Sequence, residues 1–117
     1  MKSEAYAETS YKIPLFFSHQ ENRRLAEVYL MERGIPLDKL RAVYQRILQD
    51  NHRNNGSELN LDSNKPTLSM IIELGDPEEF AQFMDNEIER RSEEHDITYI
   101  IQRVTVRKVN PRLSSSE

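Results

Sequence analysis

The chain has 117 residues, of which 31% are charged and 37% hydrophobic, with a formal net charge of −4. That length supports one core without staples, and the absence of cysteine excludes disulfides, thiolate metal sites and a cysteine nucleophile while fitting a reducing compartment. No run approaches the roughly 18 apolar residues of a membrane span, and Met1-Lys-Ser-Glu-Ala5 has no signal-peptide core, so a cytoplasmic protein without a membrane is expected.

Residues 1–10 are polar with scattered Ala and Tyr and read as a flexible N-terminus, ahead of a single domain over residues 11–112. Tyr11, Ile13, Leu15 and Phe17 alternate with Lys12, Pro14 and Phe16, which predicts a short strand. Pro14 lacks a backbone donor and argues for an edge position or a break. Ser18 and Glu21 match the Ser-x-x-Glu capping box, so a helix should begin there. It buries Leu25, Val28 and Tyr29 and ends at Gly34. Arg23 and Arg24 sit in its first turn, where the helix dipole disfavours cations. Arg23 can pair with Glu27 one turn on, or His19, Arg23 and Arg24 can together contact an anion beside free helix amides.

After Ile35-Pro36, Leu37, Leu40, Tyr44, Ile47 and Leu48 recur at helical spacing, giving a helical hairpin of residues 21–33 against 37–49. The shape invites comparison with a helix-turn-helix, but the second helix offers only Lys39, Arg41 and Arg46 as basic groups. Residues 50–66 are polar and read as a mobile loop. Asn51, Asn55, Gly56 and Asp62 fall at positions of a calcium loop. Arg53, however, occupies a ligand position, and the last ligand is Asp where that loop uses Glu, so the match fails.

The clearest local signal follows. Leu68, Met70, Ile72 and Leu74 alternate with Thr67, Ser69, Ile71 and Glu73, which reads as a half-buried strand covered on one side. Gly75 allows a turn, Asp76 can cap a helix, Pro77 suits its first position, and Phe80, Phe83, Met84 and Ile88 form its apolar stripe. Residues 97–109 form a long β-rich run. Ile100, Val104 and Val106 point one way, and Tyr99, Ile101, Arg103, Thr105 and Arg107 point the other. Such a strand should overreach its neighbours and leave an edge that pairs with a second copy or a partner peptide. Residues 113–117 read as a disordered tail.

The expected fold is therefore a two-layer α/β (or α+β) sandwich in the order β-α-α-β-α-β. It has a three-stranded sheet, parallel neighbours with right-handed crossovers, and helices on one face. Ile71, Tyr99 and Ile101 on the polar face suggest a homodimer interface or docking site.

Charge is unevenly distributed. Residues 76–96 carry a net −7, residues 97–113 a net +4 and residues 19–53 a net +2. The asymmetry either steers a charged partner or reflects pairing of the acidic helix with the basic strand. No Gly-x-Ser-x-Gly, P-loop or Gly-x-Gly-x-x-Gly occurs. His19, His52 and His95 lie at no metal-ligand spacing. Carboxylate pairs such as Glu78/Glu79 and Glu93/Glu94 point in different directions on a helix, and His95 beside Glu93, Glu94 and Asp96 lacks a nucleophile. No enzyme, no cofactor and no metal are expected.

Two readings of function remain. The first is a small non-catalytic protein-binding regulator, adaptor or inhibitor. It acts through the acidic helix (Glu78, Asp85, Glu87, Glu89) and the exposed strand (Tyr99, Ile101), and meets a protein partner or a second copy. The alternative is a nucleic-acid-binding protein, as a dimer, using Arg103, Arg107, Lys108 and Arg112 of the last strand with Arg23 and Arg24 of the hairpin.

Overall fold

The computed structural model describes residues 6–55 and 63–109, with residues 6, 52–55, 108 and 109 described for their backbone alone. Four helices lie between two strands that pair with each other. The order is β1 (Tyr6–Phe16), α1 (His19–Glu32), α2 (Leu37–Asn55), α3 (Lys65–Leu74), α4 (Pro77–Ser92) and β2 (Tyr99–Val109). β1 and β2 form a two-stranded antiparallel sheet with Tyr6 opposite Val109 and Phe16 opposite Tyr99. The fold is mixed α/β. The three-stranded sheet, the β-α-α-β-α-β order and the parallel crossovers are not what the chain adopts.

The difference lies in Thr67–Leu74, which is helix α3 and not a strand. Pro66 opens it within the first turn, a position proline favours, and Leu and Met are good helix formers. Pro66, Thr67, Leu68, Met70 and Ile71 are all buried, because α1, α2 and α4 surround the helix. A helix covered on most sides shows no amphipathic stripe, and a short apolar run then passes for a strand. Glu73, one of its few exposed residues, pairs with Arg46 of α2.

Where signals were local, the elements form as the residues dictate. Ser18 Oγ accepts from the Glu21 amide at 3.1 Å to start α1. Gly34, at φ +95°, reverses the chain into α2, and the hairpin of α1 against α2 follows. Asp76 accepts from the Glu78 and Glu79 amides at 2.8 and 3.2 Å, with Pro77 at the helix start. Bounds elsewhere shift. β1 begins at Tyr6, so residues 6–10 are strand and not a flexible terminus. α2 runs on to Asn55, so residues 50–55 of the expected loop are helical. Residues 1–5, 56–62 and the expected tail at 113–117 lie outside the described residues.

The core gathers Ile13 and Leu15 of β1, Leu25 and Leu30 of α1, Leu40 of α2, Met70 and Ile71 of α3, and Phe80, Met84 and Ile88 of α4. A two-stranded sheet is marginal on its own, and the Ile13–Leu15 face anchors it to the helices. One tether is ionic. Arg91 of α4 donates to Glu87 at 2.7 Å and to Glu21 of α1 at 2.6 Å, while its guanidinium lies 4.6 Å from the ring centroid of Phe16. Glu21 is also bonded by Arg24 at 3.1 and 2.7 Å.

Arg24, then Arg91, hold Glu21 at a pKa of about 2 against an ordinary 4.5, with burial opposing them. Glu87 is lowered by Arg90 and Arg91 in the same way. A carboxylate with a depressed folded pKa contributes stability that is present above its ordinary value and lost as the pH falls through the folded one. Stability should therefore decline between about pH 4.5 and about pH 2. For Glu21, the loss should be on the order of 1–2 kcal/mol after solvent screening. Thermal melts across that window should show a shallower slope in Glu21→Gln, and an unchanged slope would remove Glu21 from the account.

Candidate functional site

The β1–β2 ribbon has two faces, and Pro14 identifies what its edges do. In an antiparallel pair, hydrogen-bonded and non-hydrogen-bonded residue pairs alternate. Pro14 has no N–H and stands opposite Ile101, which places that pair in the non-bonded set. Phe16 agrees, because its N–H and C=O turn away from β2 and bond the Asn22 side chain, each at 2.9 Å. It follows that Ile100, Gln102, Val104 and Val106 bond to β1, while the main-chain groups of Tyr99, Ile101, Arg103 and Thr105 face the opposite edge. Among the described residues, no third strand takes up that edge.

The same odd-numbered residues carry their side chains on the outer face of the ribbon. Tyr99 and Ile101 are 45% and 54% exposed, the highest values on the ribbon for large apolar residues. Moving outward, Lys12 stands directly opposite Arg103, Ser10 opposite Thr105 and Glu8 opposite Arg107. Ser10 and Thr105 share a hydroxyl–hydroxyl bond of 3.1 Å, and Arg107 bonds Glu8 at 2.8 Å. The described residues offer neither Lys12 nor Arg103 a carboxylate partner. Like charges directly opposite each other are destabilising in a sheet, so this pair is an uncompensated positive spot beside an apolar one. The ribbon thus presents the free backbone of β2, an apolar patch from β2 and two cations, Lys12 of β1 and Arg103 of β2.

The structure divides the expected partner-binding residues. Tyr99 and Ile101 lie together on the open ribbon. On α4, Glu78, Asp85 and Glu89 are exposed, but Glu87 is taken up by Arg90 and Arg91. Glu79, beside Glu78, bonds Tyr29 and Arg33. Among the described residues, Glu79 thus pairs with α1 and Glu87 with its own helix, and no acid of α4 pairs with β2 as the charge asymmetry suggested. Of the expected nucleic-acid set, Arg103 has no carboxylate partner among the described residues, Arg107 is paired, and Arg24 is held by Glu21. Arg23 lies over the Tyr44 ring, 5.2 Å from its centroid, and not in the expected pair with Glu27. The Lys108 side chain and Arg112 lie outside the described residues.

Sequence reasoning missed Lys12, which only the register with β2 sets against Arg103, and it missed Asn22, which fixes the pairing phase. Among the described residues no group of three His, Asp or Glu side chains is placed to hold a metal ion, and no helix is long and apolar enough to cross a membrane. Comparisons with protein-family models, with curated proteins and with solved structures find no match. The functional reading accordingly rests on the geometry of the site.

Proposed function

We propose that this chain is a non-catalytic protein-binding module whose docking element is the open edge and outer face of β2. The observation that carries the reading is the main chain of Tyr99, Ile101, Arg103 and Thr105, which no described strand pairs, next to exposed Tyr99 and Ile101. An edge of this kind accepts an added strand, with backbone bonds giving affinity and alternate side chains giving selectivity. The matching strand carries an apolar residue against Ile101 and an acid against the Lys12–Arg103 pair. A second copy of the chain is one such occupant, and a partner protein the other. The exposed acids Glu78, Asp85 and Glu89 of α4 form a second, weaker part of the proposal.

Thr105→Pro tests it. The Thr105 N–H faces outward, so proline there removes no backbone bond to β1, only the exposed hydroxyl bond to Ser10, yet blocks an incoming strand. Capture of a partner from host extract, or self-association in sedimentation, should be lost in Thr105→Pro with the circular dichroism unchanged. Undiminished capture would sink the edge reading. The Lys12–Arg103 spot also favours a nucleic-acid reading of the ribbon, since a two-stranded ribbon fits a major groove. Captured material that is nuclease-sensitive and lost steeply with salt would move the assignment there.

A further inference from the structure

We infer that a depression between α1, α2 and the start of α3 is a binding site for a phosphate group, separate from the β2 edge. It has a volume of about 170 Å³ and is lined by His19, Gln20, Arg23, Tyr44, Ser63 and Thr67. All of these side chains except His19, whose ring N–H is taken by Asn64, can donate a hydrogen bond into it, and no carboxylate stands among the described lining residues.

Four observations converge on an oxyanion. First, Arg23 makes no ion pair with the described residues. Its guanidinium carbon lies over the Tyr44 ring, 5.2 Å from the centroid, and its N–H groups, which no described carboxylate takes, suit the bidentate geometry that phosphate accepts.

Second, α3 begins with an unserved amide. Asn64 is its N-cap but makes no capping bond, because its Oδ1 accepts from Asn22 Nδ2 and bonds His19 Nδ1, both at 3.0 Å. Pro66 has no N–H, so Thr67, the third residue of α3, holds the amide that a cap would have served. No described group takes it. Third, Thr67 is only 2% exposed, and its hydroxyl has no hydrogen-bond partner among the described residues. Among the described residues every sealed side-chain polar atom does have one, so this hydroxyl is not sealed, and the depression is where Thr67 meets open space.

Fourth, the orientation of His19 is determined. Asn22 accepts from the Phe16 N–H and donates to the Phe16 C=O, which fixes its amide. Its second N–H then requires an oxygen on Asn64. That oxygen makes His19 Nδ1 the donor, which leaves Nε2 of the neutral ring a hydrogen-bond acceptor, a partner for the P–OH of a hydrogen phosphate. Ser63 Oγ accepts from the Lys65 amide at 3.3 Å, which leaves its own proton to donate. Oxyanions bind well where such donors meet the positive end of a helix.

The organic part of a phosphomonoester has a place to go. A larger depression of about 450 Å³ shares Arg23 and Tyr44 and adds Glu27, Arg41, Gln45 and Leu48. Glu27 there can accept from hydroxyl groups of a ligand.

The test uses the full chain, titrated at matched ionic strength with inorganic phosphate, with a nucleoside 5′-monophosphate, and with sodium chloride as control. The readouts are calorimetry and the amide resonance of Thr67. The expected result is saturable binding that moves the Thr67 amide, weakened about tenfold or more in Arg23→Gln. Arg24→Gln should bind as the wild type does, because Arg24 is committed to Glu21. A monophosphate bound more tightly than the free ion assigns the larger depression to the ligand, and equal affinity assigns the ion alone. A Thr67 amide that responds no more to phosphate than to chloride overturns the site, as does an Arg23→Gln variant that binds unchanged.

Discussion

Asn22→Ala is expected to lower the free energy of unfolding by about 3–5 kcal/mol, a large part of the roughly 5–15 kcal/mol available to a domain. Asn22 is fully buried. It accepts from the Phe16 N–H at 2.9 Å, donates to the Phe16 C=O at 2.9 Å and donates to Asn64 Oδ1 at 3.0 Å. Each polar group stranded by its loss costs about 1–3 kcal/mol. Two of those groups belong to the backbone at the end of β1 and cannot turn away. The third, Asn64, stands at the entry to α3, so one side chain ties β1, α1 and α3 together. Urea titration should give a lower midpoint with an unchanged slope, and the melting temperature should fall by about 10 °C or more. A loss under about 1 kcal/mol would mean that water can replace the amide and that the site is less dry than its burial implies. Asn22→Asp should also destabilise at neutral pH, because it sets a carboxylate oxygen against the Phe16 carbonyl and Asn64 Oδ1.

How far such features could be read beforehand depends on the range of the interactions behind them. Ser18, Gly34 and the Asp76-Pro77 start of α4 act over two to four residues, and each performs its expected task in the structure. Glu21 shows where locality ends. It completes a capping-box pattern, yet its carboxylate is drawn to Arg24 and to Arg91, which lies 70 residues away. α3 shows the same limit for secondary structure. Leu68, Met70 and Leu74 satisfy a strand spacing and, with Ile71, a helix spacing as well, and the surrounding helices decide between them.

The candidate site divides along the same line. Exposure of Tyr99 and Ile101 follows from alternation within one strand, and it is what the structure shows. The free edge of β2 required the partner strand, its antiparallel direction and the phase set by Pro14 and Asn22, none of which has a local signature. Arg23 was legible as an anomaly, a cation at the wrong end of α1. Its surroundings were not, because Ser63 and Thr67 come from a segment whose expected state was loop and strand. Asn22 was the least visible of all. An asparagine early in a helix is mildly unfavourable, and only the arrival of Phe16 and Asn64 gives it a role.

Gly75→Val should cost about 3 kcal/mol or more, at or above the upper end for an overpacked site. The reason is proximity and not backbone strain, since Gly75 has φ −132°. A Cβ at this position would lie 2.8 Å from Tyr29 Cε2, 2.9 Å from Leu30 Cδ2 and 3.2 Å from the Tyr29 hydroxyl. Neither neighbour can yield cheaply. Leu30 is fully buried. The Tyr29 hydroxyl accepts from the Asp76 amide at 3.0 Å and donates to Glu79 Oε1 at 2.9 Å. The Tyr29 ring also packs on Phe80 and Phe83 at centroid distances of 5.4 and 5.7 Å. Moving Tyr29 would therefore disturb the α3–α4 junction and the aromatic cluster together. Even Gly75→Ala should destabilise by about 1–3 kcal/mol, outweighing the roughly 0.4–1 kcal/mol that alanine gains by restricting the unfolded chain. A double-mutant cycle isolates the cause. Gly75→Ala should cost measurably less in a Tyr29→Leu background than in the wild type, because the ring it strikes is gone. Additive losses in that cycle would place the penalty on Leu30 or the backbone, and would remove Tyr29 as the reason that position 75 admits only glycine.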